Sequence, residues 1–167
     1  MKRFFMNILM MSILLAYGNS LYAQTLPDFD LIKLDKVSDH KKAEPFVLQT
    51  ANYMLSSPVE KSNPNRVKAL EFLYKWMSGT PDYSFNLQDA RNNIGKGSED
   101  ILGVYMAAMA KYTLQNKDSA KDAKLMKLNA VILLLNYCEN KSNNIKIPKH
   151  IKALSEARTR GELEKSL

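Results

Sequence analysis

Glu99 and Asp100 are the residues of this chain best suited to carry chemistry. They are adjacent carboxylates immediately before residues 101–110, a stretch without a single charge. An apolar wall disfavours an ionised carboxylate and raises its pKa, as a general acid requires. One or two carboxylates in a cleft suffice to hydrolyse a glycosidic bond, so a small glycan hydrolase acting on peptidoglycan is the catalytic reading these residues offer. The plainer account is stronger. Ser98 is a good helix N-cap, and acidic residues in the turn after it sit against the positive end of the helix dipole without any catalytic duty.

Other candidates are weaker. Gly95-Lys96-Gly97-Ser98 is similar to a phosphate loop, but Ala90 stands where the first glycine belongs and Gly97 where Ser or Thr must follow the lysine. A turn feeding a helix cap explains all four residues. His40 and His150 are isolated, without ligand-spaced partners, and both are expected at the surface, so no metal site is expected. No Gly-x-Ser-x-Gly elbow exists. Cys138 is the sole cysteine, which excludes an internal disulfide, and its helical, apolar surroundings predict a buried, inert thiol. Trp76 and Tyr83 could form an aromatic platform for sugar or peptide, although tryptophan beside Tyr74 and Met77 reads first as core, as do Met106 and Met109. No cofactor motif is present.

These residues belong to a chain laid out for export. Lys2 and Arg3 precede an apolar run over 4–17, and Leu21-Tyr22-Ala23-Gln24 offers a small residue before a cut. This is the layout of a secretory signal over residues 1–23, cleaved after about Ala23, with too few apolar residues to span a bilayer. An uncleaved anchor is the alternative reading. The expected location is periplasmic or secreted. The chain carries 24 basic and 17 acidic residues, net +7, and loss of Lys2 and Arg3 with the leader lowers this to +5. The excess lies in residues 91–167, with 14 basic against 8 acidic residues. Scattered lysines mixed with carboxylates read as a solvated face more than as a patch for anionic surfaces. They do not interleave with aromatics, so nucleic acid is not an expected partner.

The mature length suits one domain. Residues 24–42 read as an N-terminal arm that packs through Phe29, Leu31 or Leu34, and 43–167 as a single helical domain. Its first helix is predicted to start near Ala43, with Pro45 in the first turn. Asn63, Pro64 and Gly79 punctuate a second helix. Residues 80–97 are irregular, with Tyr83-Ser84-Phe85-Asn86-Leu87 alternating like a short extended piece. Ser98 caps a third, central helix, in which Gly103, Ala107 and Ala110 form a small-residue side. After a break at 116–119 a fourth helix runs to about Asn140, antiparallel to the third. Pro148 opens a last helix, weakened at Gly161. The fold class is all-α: a five-helix bundle or stacked helical hairpins, with the second to fourth helices as core and a degenerate helical-repeat arrangement as a variant.

Two blocks, Phe72-Leu73-Tyr74-Lys75-Trp76-Met77-Ser78-Gly79-Thr80-Pro81-Asp82-Tyr83-Ser84-Phe85 and Val104-Tyr105-Met106-Ala107-Ala108-Met109-Ala110-Lys111-Tyr112, resemble an uncharacterised family of small exported helical proteins of Gram-negative bacteria. The resemblance covers roughly residues 40–167. It carries no known activity and transfers no functional residue.

Export, a closed helical core and the lack of a chemical motif favour a non-enzymatic binding or scaffold protein of the periplasm or envelope. Its partner is expected to be another protein or an envelope component, met through the first helix, the last helix or residues 80–97. The carboxylate-dependent glycan hydrolase is the alternative.

Overall fold

The computed structural model describes residues 26–60 and 63–167, so the expected leader at 1–23 lies outside the described residues. Among these residues the chain is all-α and contains no strand. Five long helices carry the fold: α1 (Val37–Ser56), α2 (Pro64–Gly79), α3 (Glu99–Gln115), α4 (Ala123–Glu139) and α5 (Lys149–Thr159).

The centre is α3. Every residue of 101–110 is buried, not one face alone. A helix apolar all round must be covered all round, and α1, α2 and α4 cover this one. Burying a Val, Leu, Ile or Met side chain contributes about 1.5–3 kcal/mol relative to exposure, so Ile101, Leu102, Val104, Met106 and Met109 make α3 the main source of stabilisation. Gly103 lets Met54 of α1 and Leu70 of α2 close against the backbone. The short 116–122 connection folds α4 back along α3.

The first helix departs from expectation. It begins at Val37 rather than near Ala43, and it packs against α3 more extensively than α2 does. Its start is fixed at the backbone: the Lys36 N–H donates to the Asp39 carboxylate at 3.1 Å, and the Asp39 N–H to the Lys36 carbonyl at 2.9 Å. Pro45 therefore lies inside the helix, where it denies Lys41 its i+4 partner. Both residues are exposed, so water can serve that carbonyl and the helix continues. The buried face is His40, Ala43, Val47, Thr50, Ala51 and Met54. The arm is accordingly shorter than 24–42. Phe29 stacks on Phe72 at 4.9 Å and Leu34 is buried, whereas Leu31 is 79% exposed.

The 80–97 connection is more ordered than its sequence suggests. Residues 83–87 alternate between half-buried and exposed as expected, yet pair with no strand. A helical turn at Leu87–Asp89 then runs into a π-turn at Ala90–Ile94, closed by the Gly95 N–H donating to the Ala90 carbonyl at 2.7 Å. Gly97 takes φ +74°, a conformation that favours glycine, and Ser98 Oγ accepts from the Ile101 N–H at 3.3 Å. Gly95-Lys96-Gly97-Ser98 is thus a turn leading into a cap.

Candidate functional site

Glu99 and Asp100 occupy the exposed first turn of α3. Glu99 pairs with Arg91 at 2.9 Å, with side chains 69% and 57% exposed. Both carboxylates line a cavity of about 450 Å³ beside Glu60, Asn63 and Arg66. Residues 80–97 contribute nothing to that cavity. Arg66 is buried, and its Nη1 donates to the Ser57 carbonyl at 3.0 Å and to Ser57 Oγ at 2.9 Å, locking the end of α1 to α2.

The remaining sequence candidates serve the fold. His40 is buried, against expectation, because the longer α1 turns it inward; its Nδ1 donates to the Lys36 carbonyl at 3.1 Å. His150 is half-buried and its Nε2 donates to the Ile94 carbonyl at 2.8 Å, tying α5 to the π-turn. Cys138 is buried, and burial, with Glu139 next to it, pushes its thiol up to about 11. Trp76 is fully buried and donates its indole N–H to the His40 carbonyl at 2.9 Å. Among the described residues no group of three or more His, Cys, Asp or Glu is arranged to hold a metal ion. No helix there is long and apolar enough to cross a membrane.

A cavity of about 930 Å³ opens between residues 81–89 and the start of α4, over a floor formed by α3. Its walls derive from local sequence. Tyr83 and Phe85 turn inward and flank the Trp76 ring at 6.0 and 5.8 Å, which holds the connecting segment in place. Tyr83 reaches Glu44 of α1 at 3.5 Å, and Lys117 closes on the same carboxylate at 2.5 Å. Asn86 Oδ1 accepts from the Asp89 N–H at 2.9 Å and starts the helical turn. That turn delivers Asp89 to the cavity, where its carboxylate meets Lys127 of α4 at 3.2 Å. Asp122 caps α4 by accepting from the N–H groups of Lys124 and Leu125 at 2.9 and 3.1 Å. The cavity also borders the 3-10 turn at Glu164–Ser166, and the main-chain oxygen of the following Leu167 accepts from Lys127 at 3.0 Å.

Tyr105 gives the floor its chemistry. It is 2% exposed, lines the cavity, and its hydroxyl makes no hydrogen bond with any described residue. Burial, aided by the Asp89 charge, raises its pKa, so the phenol stays neutral and can donate. Met109 and Met126 surround it with deformable apolar surface. A π-turn lies directly after Asp89, and such turns recur at functional sites. The arrangement can hold a ligand by one hydroxyl in the cavity floor, apolar contact and charges on its walls.

Reasoning from sequence does not single out Tyr105, Asp89, Lys121, Lys124 or Lys127 for this role. Tyr105 stands in an apolar helix and reads as core. Its one signal is the phenol itself, a polar group in a segment otherwise free of strong donors. Comparison with known protein families, curated proteins and solved structures finds no match for this chain.

Proposed function

We propose that this is a non-enzymatic binding protein of the bacterial envelope, exported to the periplasm or beyond and related to the small helical proteins its sequence resembles. Its binding site is the cavity between residues 81–89 and α4. One observation carries this reading: the unpartnered hydroxyl of Tyr105 in the floor of a cavity of about 930 Å³. Among the described residues the buried side-chain polar atom left without a partner is Thr113 Oγ1, so the Tyr105 hydroxyl keeps access to the cavity and can donate into it. A ligand with an acceptor at that point gains a hydrogen bond. The volume lies within the range of small-ligand sites. The export layout makes an envelope component or another protein the expected source of that ligand.

The hydrolase alternative has less support. Glu99 is solvated and paired with Arg91 rather than set against an apolar wall.

Thermal unfolding with and without candidate ligands tests the proposal. The panel comprises soluble peptidoglycan fragments, anionic phospholipid vesicles and short peptides. At least one should raise the Tm of the wild-type protein by several degrees. The gain should vanish in Ala123→Trp, which fills the cavity from an exposed position on its wall. A panel without effect, or equal effect on both proteins, overturns the reading.

A further inference from the structure

Resting on the cavity as the binding site, we propose that its ligand is a short peptide bearing both a free amine and a free carboxylate. The argument begins with which charges around the cavity are already satisfied. Lys127 is tied to Asp89 at 3.2 Å and to the Leu167 main-chain oxygen at 3.0 Å, so the Lys127–Asp89 pair is internally balanced. Lys121, in the 3-10 turn before α4, and Lys124 of α4 line the cavity and form no ion pair with any described residue. The same holds for Asp82 on the connecting segment and Glu164 on the terminal turn. The free charges are therefore two cations on one wall and two anions elsewhere around the opening.

Single-signed ligands fit this poorly. An anionic lipid would satisfy the lysines and meet Asp82 and Glu164; a polycation would do the reverse. Like charges brought together weaken association, and complementary ones guide it. A neutral glycan leaves all four charges unused. A zwitterion engages both signs at once. The anion is met by lysine ammonium groups rather than by the end of α4, because Asp122 already accepts from the Lys124 and Leu125 N–H groups.

The floor suits the body of a peptide. Tyr105 offers a neutral, buried donor to a peptide carbonyl, and Asn86 retains its amide N–H₂ while its Oδ1 serves Asp89. Met109 and Met126 can reshape around different side chains, which favours a class of peptides over a single one.

Isothermal titration of the full chain with alanine–leucine tripeptides decides the matter, using free termini, an acetylated N-terminus, an amidated C-terminus, or both caps. The tripeptide with free termini should bind, and each single cap should weaken binding at least tenfold. Lys124→Glu should weaken the free tripeptide and reduce its advantage over the amidated one. Tyr105→Phe should weaken binding about fivefold, as the loss of one neutral hydrogen bond would, without lowering the Tm of the unliganded protein. Indifference to capping overturns the proposal. So does a lower unliganded Tm in Tyr105→Phe, which would make the hydroxyl structural. Should the tripeptides fail while peptidoglycan fragments or vesicles stabilise wild type but not Ala123→Trp, the peptide assignment falls and the cavity reading stands. Failure of every ligand removes both.

Discussion

The indole N–H of Trp76 donates to the main-chain carbonyl of His40 at 2.9 Å, joining the end of α2 to the first turns of α1. Both groups are buried, so neither has water as a substitute. The bond also orients the ring on which Tyr83 and Phe85 rest, and so reaches the wall of the cavity.

Trp76→Phe keeps most of the aromatic bulk and removes the donor. The His40 carbonyl is then left with one partner fewer in a dry interior, and stability should fall by about 1–3 kcal/mol. Urea unfolding of both proteins measures it. A loss below about 0.5 kcal/mol would mean that the contact contributes little.

Gly79 is fixed by a neighbour. A Cβ built there would stand 2.2 Å from His40 Nε2, so Gly79→Ala must displace the imidazole or shift the end of α2. Overpacking of this kind costs about 1–3 kcal/mol. Coupling to His40 is the sharper expectation: in the His40→Ala background most of the cost should disappear, which a double-mutant cycle reads directly.

Cys138 should behave as a sealed thiol. Its pKa is pushed up to about 11, chiefly by burial, so almost none is thiolate at pH 8. Modification by a disulfide reagent at that pH should be slow in the native protein and fast in denaturant. Equal rates would place the thiol at the surface.

Glu139 and Arg158 clip α5 onto α4, with Ser155 donating to the same carboxylate at 2.9 Å and Arg158 also reaching Asn136. These partners hold the Glu139 carboxyl below its usual pKa. A carboxylate with a depressed folded pKa stabilises the protein above its unfolded pKa and loses that contribution as pH falls through the folded value. Glu139→Gln should therefore lower the Tm at pH 7, with the difference from wild type closing as the pH falls below the ordinary carboxylate range. A difference constant with pH would exclude this linkage.

Much of the fold is legible in the sequence because its signals are local and strong. Asn63, Pro64 and Gly79 mark both ends of α2, and the uncharged 101–110 stretch reads as a covered helix without knowledge of what covers it. The start of α1 is not legible, because Pro45 outweighs a backbone cap at Lys36 and Asp39 that no side-chain pattern announces. The burial of His40 is hidden for the same reason: in a charged run it depends on the phase of a helix whose beginning the sequence places too late. The cavity depends on long-range packing. Tyr105, Asp89 and Lys127 come from three separate segments, and whether the Tyr105 hydroxyl is partnered depends on all of them.

The π-turn at Ala90–Ile94 makes chain length itself a constrained quantity. It holds one residue more than the α-turn it replaces, and removing that residue would rotate the downstream chain by about 100° about the helix axis. Asp89 and the Gly95 corner would then fall out of phase. Related chains should accordingly vary in residue type through this stretch far more readily than in the number of residues between Asn86 and Ser98.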